Sequence, residues 1–223
     1  YTPKPIETVY TAARTCYSEN SPSDIWSKRT TEFEMIKLLD KTITSGHHSI
    51  LEHILFTFSV EGLSRSASHQ LVRHRVASFS QQSQRYTDMS EAEFITPSTI
   101  KLNRKALTIC NKITEETRQA YSELRELGIP AEDARFVMPN ASTTNIVMSM
   151  NFRELWYVSG IRLCRRAQWE IRDLFLRIKS ELHSVPELTG LAEYLGPRCE
   201  TLGYCPEFKG CGYYPTKEDQ QGE

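Results

Sequence analysis

The sequence predicts an α+β protein. Some segments place apolar residues on one helical face, as over residues 31–45, whereas a shorter segment, 54–60, alternates apolar and polar residues with a period of two. The predicted strands do not alternate regularly with the predicted helices. This order argues against a doubly wound parallel sheet and favours the α+β class.

The first predicted helix covers residues 31–45. Thr31 and Glu34 have the spacing of a capping box, in which each side chain bonds the backbone N–H of the other residue. Gly46 is placed to end this helix. The strand over residues 54–60 follows, and a second helix is predicted from Gly62 to about Ser78.

The second half of the chain is predicted to contain two longer helical regions and one strand. A helix covers about Leu107 to Leu127, and Gly128 closes it. A short helix over 130–137 and a strand over 143–150 come next. Asn151 then caps a helical region that extends to about residue 183, with room for a break. The residues expected on the buried face of the 107–127 helix are Ile113, Ala120, Leu124 and Leu127.

The composition is that of a globular protein without a strong overall charge. The 223 residues are 39% hydrophobic and 25% charged, and the formal net charge is −1. A uniformly basic nucleic-acid-binding surface is not expected from this balance. No apolar run approaches the roughly 20 residues of a transmembrane helix, and no signal peptide is visible. We therefore expect a cytoplasmic protein that does not bind membranes.

A concentrated positive patch lies within residues 61–86, which carry four arginines and a single acid. Arginine presents a planar fork that binds phosphate oxygens in pairs, and the serine and glutamine side chains beside it can add neutral hydrogen bonds. The segment therefore favours a polyanionic ligand that carries a polar base. The four arginines are Arg65, Arg73, Arg75 and Arg85.

The order of residues in this patch resembles a known signature. Arg73-His74-Arg75 is followed by seven residues and Ser83, as in the flavin-dependent thymidylate synthases. The resemblance extends to segments 46–53, 134–139 and 167–170, and it covers about residues 30–175. It implies a single domain over residues 1–223, with a central antiparallel sheet flanked by helices and a cysteine-rich extension from about residue 196.

The resemblance also implies an activity, which is reductive methylation of dUMP to dTMP. FAD would be the cofactor, and NADPH and 5,10-methylenetetrahydrofolate the co-substrates. The family further implies a homotetramer with active sites shared between subunits. No nucleic-acid partner is expected.

Site residues are assigned from the resemblance, position by position. Arg162 is expected beside the uracil ring, where it would stabilise negative charge as carbon 5 becomes nucleophilic, and it is the expected catalytic residue. Ser83 is expected to bind the nucleotide rather than act as a nucleophile, because no His–carboxylate pair is evident to activate it. The residues assigned to dUMP are Gln70, Arg73, Gln81, Ser83, Arg85, Arg135 and Arg162. The residues assigned to FAD are His47, Ser49, Arg73, His74, Arg75, Gln81, Asn151, Arg153 and Tyr157.

Four positions depart from the familiar family pattern. Gln81 stands where Glu is frequent, and Arg166 stands where His can occur. Tyr157 and Gly160 stand where asparagines can occur. These departures leave open how the flavin contacts are made at these four places.

The C-terminal cysteines Cys199, Cys205 and Cys211 lie in a segment rich in glycine and proline, which predicts a loop. Their spacing is not the close Cys-x-x-Cys pair of structural zinc sites. We expect reduced thiols and no metal. Zinc bound by these three thiolates and a fourth ligand such as His183 is the alternative.

Two other function classes remain open on the sequence alone. A nucleic-acid-binding module would explain the arginines of the first patch, but not the near-neutral charge or the second basic island, Arg162, Arg165 and Arg166. A different flavin or nucleotide enzyme on a related scaffold is the second alternative. A folate-only thymidylate synthase would need a nucleophilic cysteine, and among the cysteines only Cys164 has basic surroundings.

Overall fold

A computed structural model describes residues 1–219 of the chain. Residues 220–223, the end of the predicted cysteine-rich extension, lie outside the described residues. Eleven α-helices and three strands are found within residues 1–219. In chain order they are α1 (Pro5–Thr15), α2 (Pro22–Ser27), α3 (Glu32–Thr44), β1 (Leu55–Ser64), α4 (Arg65–Leu71), β2 (Ala77–Gln81), α5 (Ser98–Lys101), α6 (Arg104–Glu126), α7 (Ala131–Ala134), β3 (Thr143–Asn151), α8 (Phe152–Arg162), α9 (Trp169–Ser184), α10 (Thr189–Ala192) and α11 (Arg198–Leu202).

The three strands form one small antiparallel sheet in the order β1-β3-β2, with β3 in the centre. Short 3-10 helices at His48–His53, Arg135–Val137 and Pro186–Leu188 connect other elements. The protein is therefore α+β, as the sequence predicts. β3 matches the predicted strand 143–150 to within one residue.

The chain forms two compact units. The first consists of Tyr1–Thr57 together with Ser149–Glu223, and the second is Phe58–Met148. The prediction of a single family domain over the whole chain stays a prediction. Each unit has its own buried apolar residues.

Aromatic side chains organise the core of the first unit. Phe152 is fully buried, and its ring lies 6.1 Å from that of Phe56, between centroids. The backbone N–H of Phe152 donates to the carbonyl of Ile54 at 2.8 Å, which ties the start of α8 to the residue before β1. Burying a side chain of this size contributes about 1.5–3 kcal/mol. α8 is thereby fixed at the end that carries the predicted flavin contacts.

The core of the second unit lies beneath α6. Tyr121, Met89, Ala92 and Ala134 are buried there, and Phe94 packs against them. Tyr121 is the only fully buried side chain among the 23 residues of α6. The predicted burial of Ile113 and Leu127 is wrong, because these side chains are 52% and 78% exposed.

The predicted helix over residues 62–78 is also wrong at both ends. β1 continues to Ser64, whose hydroxyl accepts the N–H of Ala67 and so caps α4. Helix α4 ends at Leu71, and residues 77–81 form β2 instead. Alternate residues of β2 are half-buried and the others are exposed, which is the pattern of a strand. Pairing with β3 therefore outweighs any helical tendency there.

Candidate active site

The Arg-His-Arg triplet lies in the turn between α4 and β2. Arg73 and Arg75 are exposed, whereas His74 is half-buried, and its backbone N–H donates to the carbonyl of Leu71 at 3.2 Å. Gln70 lies on α4 itself and is half-buried. Cations exposed on a short turn are available to an anionic ligand.

Gln81 ends β2, and its amide is held by two hydroxyl groups. Its Nε2 donates to Ser68 Oγ at 3.0 Å and to Thr144 Oγ1 at 3.3 Å. Ser68 and Thr144 are both buried, on α4 and β3. The side-chain N–H donors of Gln81 therefore bind within the protein, and the side-chain carbonyl oxygen Oε1 is the atom that can accept from a ligand.

The loop after β2 carries Ser83 and Arg85. Ser83 Oγ accepts the backbone N–H of Arg85 at 3.2 Å, and the carbonyl of Ser83 accepts the N–H of Thr87 at 3.0 Å. These bonds form a turn that is stabilised by its own serine. Arg85 Nε donates to Glu132 Oε2 at 2.8 Å. Both side chains of this ion pair are about half exposed, at 51% and 47%.

Arg135 lies near the same acid. Its Nε donates to the backbone carbonyl of Glu132 at 3.0 Å. Glu132 thus contacts Arg85 through its carboxylate and Arg135 through its carbonyl. The structure brings together two arginines that the sequence assigns to dUMP, although they are fifty positions apart.

Sequence reasoning missed the role of Arg65, which begins α4. Its Nη2 donates to the carbonyl of Gln82 at 2.8 Å, at the residue before Ser83. Burial lowers the pKa of the Arg65 guanidinium, and the nearby Arg135 lowers that pKa further. Arg65 was visible in the sequence only as one member of the basic patch. Its contact shows that it holds the start of the Ser83 loop in place.

His47 and Ser49 lie in the first unit, at the start of the His48–His53 3-10 helix. Both are exposed. The N–H of His47 donates to the carbonyl of Thr42 at 3.0 Å, which fixes the loop against the end of α3. Their side chains face solvent and can meet a ligand.

Asn151, Arg153 and Tyr157 lie at the start of α8 in the same unit. Asn151 Oδ1 accepts the N–H of Glu154 at 2.9 Å, so this side chain caps the helix. Arg153 pairs with Glu52 at 2.5 Å. Tyr157 is 56% exposed, one helical turn after Arg153. The Asn151 amide therefore has a structural task in addition to any flavin contact.

Arg162 is the last residue of α8. It is half-buried, and this burial lowers the pKa of its guanidinium. A partly desolvated cation interacts more strongly with developing negative charge than an exposed one does. The second basic island continues with Arg165 and Arg166, which are both exposed.

The family of the chain follows from comparison with known proteins. A model of the thymidylate synthase complementing protein (Thy1) family matches residues 1–186. The chain belongs to this family. Every residue that the sequence assigns to dUMP or FAD lies within the matched range, whereas the cysteines Cys199, Cys205 and Cys211 lie beyond it.

Curated relatives cover nearly the full chain. It is similar to a protein of Thermococcus onnurineus, 44% identical over 213 residues, which are 93% of this chain and 86% of the relative. It is also similar to proteins of Nitratidesulfovibrio vulgaris, 42% identical with 98% and 94% coverage, and of Geobacter sulfurreducens, 43% identical with 93% and 88% coverage. All three carry the name flavin-dependent thymidylate synthase.

The cysteines of this Thy1-family chain are all free thiols, and Cys199 and Cys205 are buried. Within residues 1–219, no group of three or more His, Cys, Asp or Glu side chains is arranged to hold a metal ion. The alternative zinc ligand His183 instead has its Nδ1 3.7 Å from Glu193 Oε1. The loop predicted for the cysteine segment contains the short helix α11.

Residues 1–219 also contain no helix that is both long and apolar enough to cross a membrane.

Proposed function

We infer that this chain is a flavin-dependent thymidylate synthase that methylates dUMP to dTMP. 5,10-Methylenetetrahydrofolate is the carbon donor, and NADPH reduces the FAD cofactor. The observation that carries this conclusion is the 40–44% identity to enzymes of that name over more than nine-tenths of the chain. The basic turn of the second unit and the start of α8 supply the cations that such anionic ligands need.

Binding of the dUMP phosphate is the task proposed for Ser83, Arg85 and Arg135. The contacts through Glu132 keep the two arginines at one place, and Arg65 holds the loop that carries Ser83. Charge-assisted hydrogen bonds to phosphate contribute about 1.5–3 kcal/mol each. Gln70, Arg73, Gln81 and Arg162 complete the set proposed for the nucleotide, with the side-chain carbonyl oxygen of Gln81 as an acceptor.

FAD binding is proposed for nine residues of the chain. The donors present fit a pyrophosphate and a polar ring system, because Arg73, Arg75 and Arg153 supply charge and His47 and Ser49 are exposed on a fixed loop. When bound, the flavin supplies the hydride of the reaction. The remaining proposed contacts are His74, Gln81, Asn151 and Tyr157.

Arg162 is the proposed catalytic residue. The methyl transfer places negative charge on the N3–C4 carbonyl region of the uracil ring, and a fixed, half-buried guanidinium stabilises that charge in the transition state. Removing one such donor from an enzyme costs about 10²- to 10³-fold in kcat. The half-burial of Arg162 supports this assignment.

A homotetramer is proposed for the assembly, and the exposed apolar surface of α6 supports it. Ile109 and Ile113 lie one helical turn apart and are 65% and 52% exposed, although α6 is 23 residues long. Apolar side chains in such a row favour burial against another subunit.

A cytoplasmic location is proposed because all six cysteines are free thiols, which is typical of a reducing compartment.

The test is a visible absorbance spectrum of the purified protein with FAD, followed by dUMP, and then an assay of dTMP formed with NADPH and 5,10-methylenetetrahydrofolate. We expect a bound-flavin spectrum that shifts with dUMP, and dTMP as product. Arg162→Ala should keep bound flavin and lose about 10²- to 10³-fold in kcat. Arg177→Ala, which removes an exposed arginine paired with Asp173 on α9, is the matched control. A chain that binds no FAD, or forms no dTMP, would refute the proposed function.

A further inference from the structure

The segment beyond the family-matched residues, 196–216, is an ordered structure in the first unit. Gly203 ends α11 with a φ of 75°. The chain then folds back on itself, because the N–H of Cys205 donates to the carbonyl of Pro215 at 2.7 Å and Cys205 forms a β-bridge with Thr216. We name residues 196–216 the C-terminal segment.

The C-terminal segment contacts residues 163–168, which form the turn between α8 and α9. Both exposed arginines of this turn, Arg165 and Arg166, take part. The guanidinium of Arg165 lies 3.9 Å from the centroid of the Tyr213 ring, which is a close cation–π contact. Arg166 Nη1 donates to the backbone carbonyl of Lys209. The hydroxyl of Tyr213 in turn donates to Glu200 Oε1 at 3.1 Å, which further fixes the ring.

The same segment contacts α8 before the turn. A Cβ atom at Gly160 would lie 2.7 Å from Arg198 Cγ, so α11 approaches the helix closely at this glycine. Cys164, in the turn, is near the buried Cys199. Burial raises the pKa of the Cys199 thiol, and the neighbouring Cys205, Glu200 and Cys164 raise that pKa further.

Arg162 therefore lies between two places at which the C-terminal segment contacts the chain. Gly160 precedes it by two residues, and Arg165 follows it by three. A guanidinium can stabilise a developing charge only if its position is fixed to within a fraction of an ångström. Arg162 sits at a helix end, where the backbone of an unsupported helix frays.

We propose that the C-terminal segment is a brace that positions Arg162, and that Arg165 and Tyr213 are its positioning residues. The inference rests on the proposed function of Arg162 in dUMP methylation. Loss of the Tyr213 ring removes the cation–π contact and leaves the turn less constrained. The affinity for dUMP changes little in this variant, because Ser83, Arg85 and Arg135 bind the phosphate. In contrast, kcat falls.

The experiment compares three variants in the full chain with bound FAD. Tyr213→Ala removes the ring. Tyr213→Phe keeps the ring and loses only the bond to Glu200. Phe208→Ala is the matched control, because it truncates an aromatic side chain in the same segment that is 93% exposed.

We expect kcat to fall about 2- to 5-fold in Tyr213→Ala, in line with the strength of a cation–π contact between two exposed side chains. KM for dUMP should stay within about twofold, Tyr213→Phe should recover most of kcat, and Phe208→Ala should match the unmodified protein. A second readout is the rate at which iodoacetamide alkylates Cys164, followed by peptide mass spectrometry. This rate should rise in Tyr213→Ala and not in Phe208→Ala.

Equal kcat values and equal Cys164 alkylation rates in Tyr213→Ala and Phe208→Ala would overturn the brace. A parallel loss of bound flavin and of thermal stability in Tyr213→Ala would also overturn it, since that result means general support of the fold. Failure of the proposed function gives a different result, because the unmodified protein itself then forms no dTMP. Alkylation of Cys164 still reports on the brace in that case.

Discussion

Glu132 contacts the two arginines proposed to bind the dUMP phosphate, and its carboxylate competes with that phosphate for Arg85. Glu132 Oε2 lies 2.8 Å from Arg85 Nε, so a phosphate that binds the Nε edge of this guanidinium must displace it. Glu132→Gln keeps the size of the side chain and the backbone carbonyl that accepts from Arg135. Only the negative charge is removed. We therefore predict tighter binding of dUMP by this variant.

The magnitude follows from the exposure of the ion pair. With side chains 51% and 47% exposed, the pair contributes about 0.2–1 kcal/mol, because water screens the two charges. Removing this competition should lower the Kd for dUMP about 1.4- to 5-fold. Repulsion between the Glu132 carboxylate and the phosphate acts in the same direction. The gain should shrink at high salt, since both effects are electrostatic.

The assay is a titration of the FAD-loaded protein with dUMP, followed by the change in flavin absorbance at two salt concentrations. Glu116→Gln is the matched control, because it removes an exposed acid that pairs with Lys112 on α6. Its Kd should equal that of the unmodified protein. An unchanged or higher Kd in Glu132→Gln would refute the competition and would indicate that Glu132 supports the site.

Two further predictions concern stability. Thr31→Ala should lower the free energy of unfolding by about 1 kcal/mol, because the capping box is lost. Hydrogen bonds from the backbone N–H and then the hydroxyl of Thr31 lower the pKa of Glu34, so their stabilisation is present above the ordinary pKa of 4.5 and is lost as pH falls through the lower folded value. Thr31→Ala keeps the backbone bond, so thermal melts from pH 7 to 3 should show a smaller loss in this variant than in the unmodified protein. Gly62→Ala should cost about 1–2 kcal/mol in urea unfolding, because the φ of Gly62 is 68°, whereas Gly190→Ala, with an ordinary backbone, should not.

Local rules predicted the beginnings of helices well. Both halves of the Thr31–Glu34 capping box are present, and α3 begins one residue later. Asn151 caps α8 as predicted, and the helical region beyond it breaks between Arg162 and Trp169. Such signals act within one helical turn, so the sequence contains all of the interaction that produces them.

Features that depend on distant partners were not predicted. β2 was missed because its alternation is carried by serine, phenylalanine and glutamine over only five residues, and its strand form requires β3, more than sixty residues later. The burial of α6 was mispredicted for a related reason. An apolar face in the sequence indicates where burial is favourable, but it does not indicate whether the same chain covers it.

The candidate site shows the same division between local and distant information. The Arg-His-Arg triplet and Ser83 could be found from their spacing, since the resemblance is a local pattern. The contact of Arg85 with Glu132 joins residues 47 positions apart, and that of Arg65 with Gln82 joins residues 17 apart. No periodic or motif signal encodes such pairs. For the same reason, whether Arg135 contacts dUMP stays a prediction.

The amide at position 81 has a consequence for the response of the site to acid. A carboxylate between the hydroxyls of Ser68 and Thr144 would take up a proton as the solution became acidic, and the charge near the ligands would change with it. Gln81 instead bonds to these two hydroxyls through its side-chain amide, which does not ionise. Position 81 therefore contributes no acid limb to the pH–rate profile, and any acid limb of the enzyme arises from other groups or from the ligands themselves.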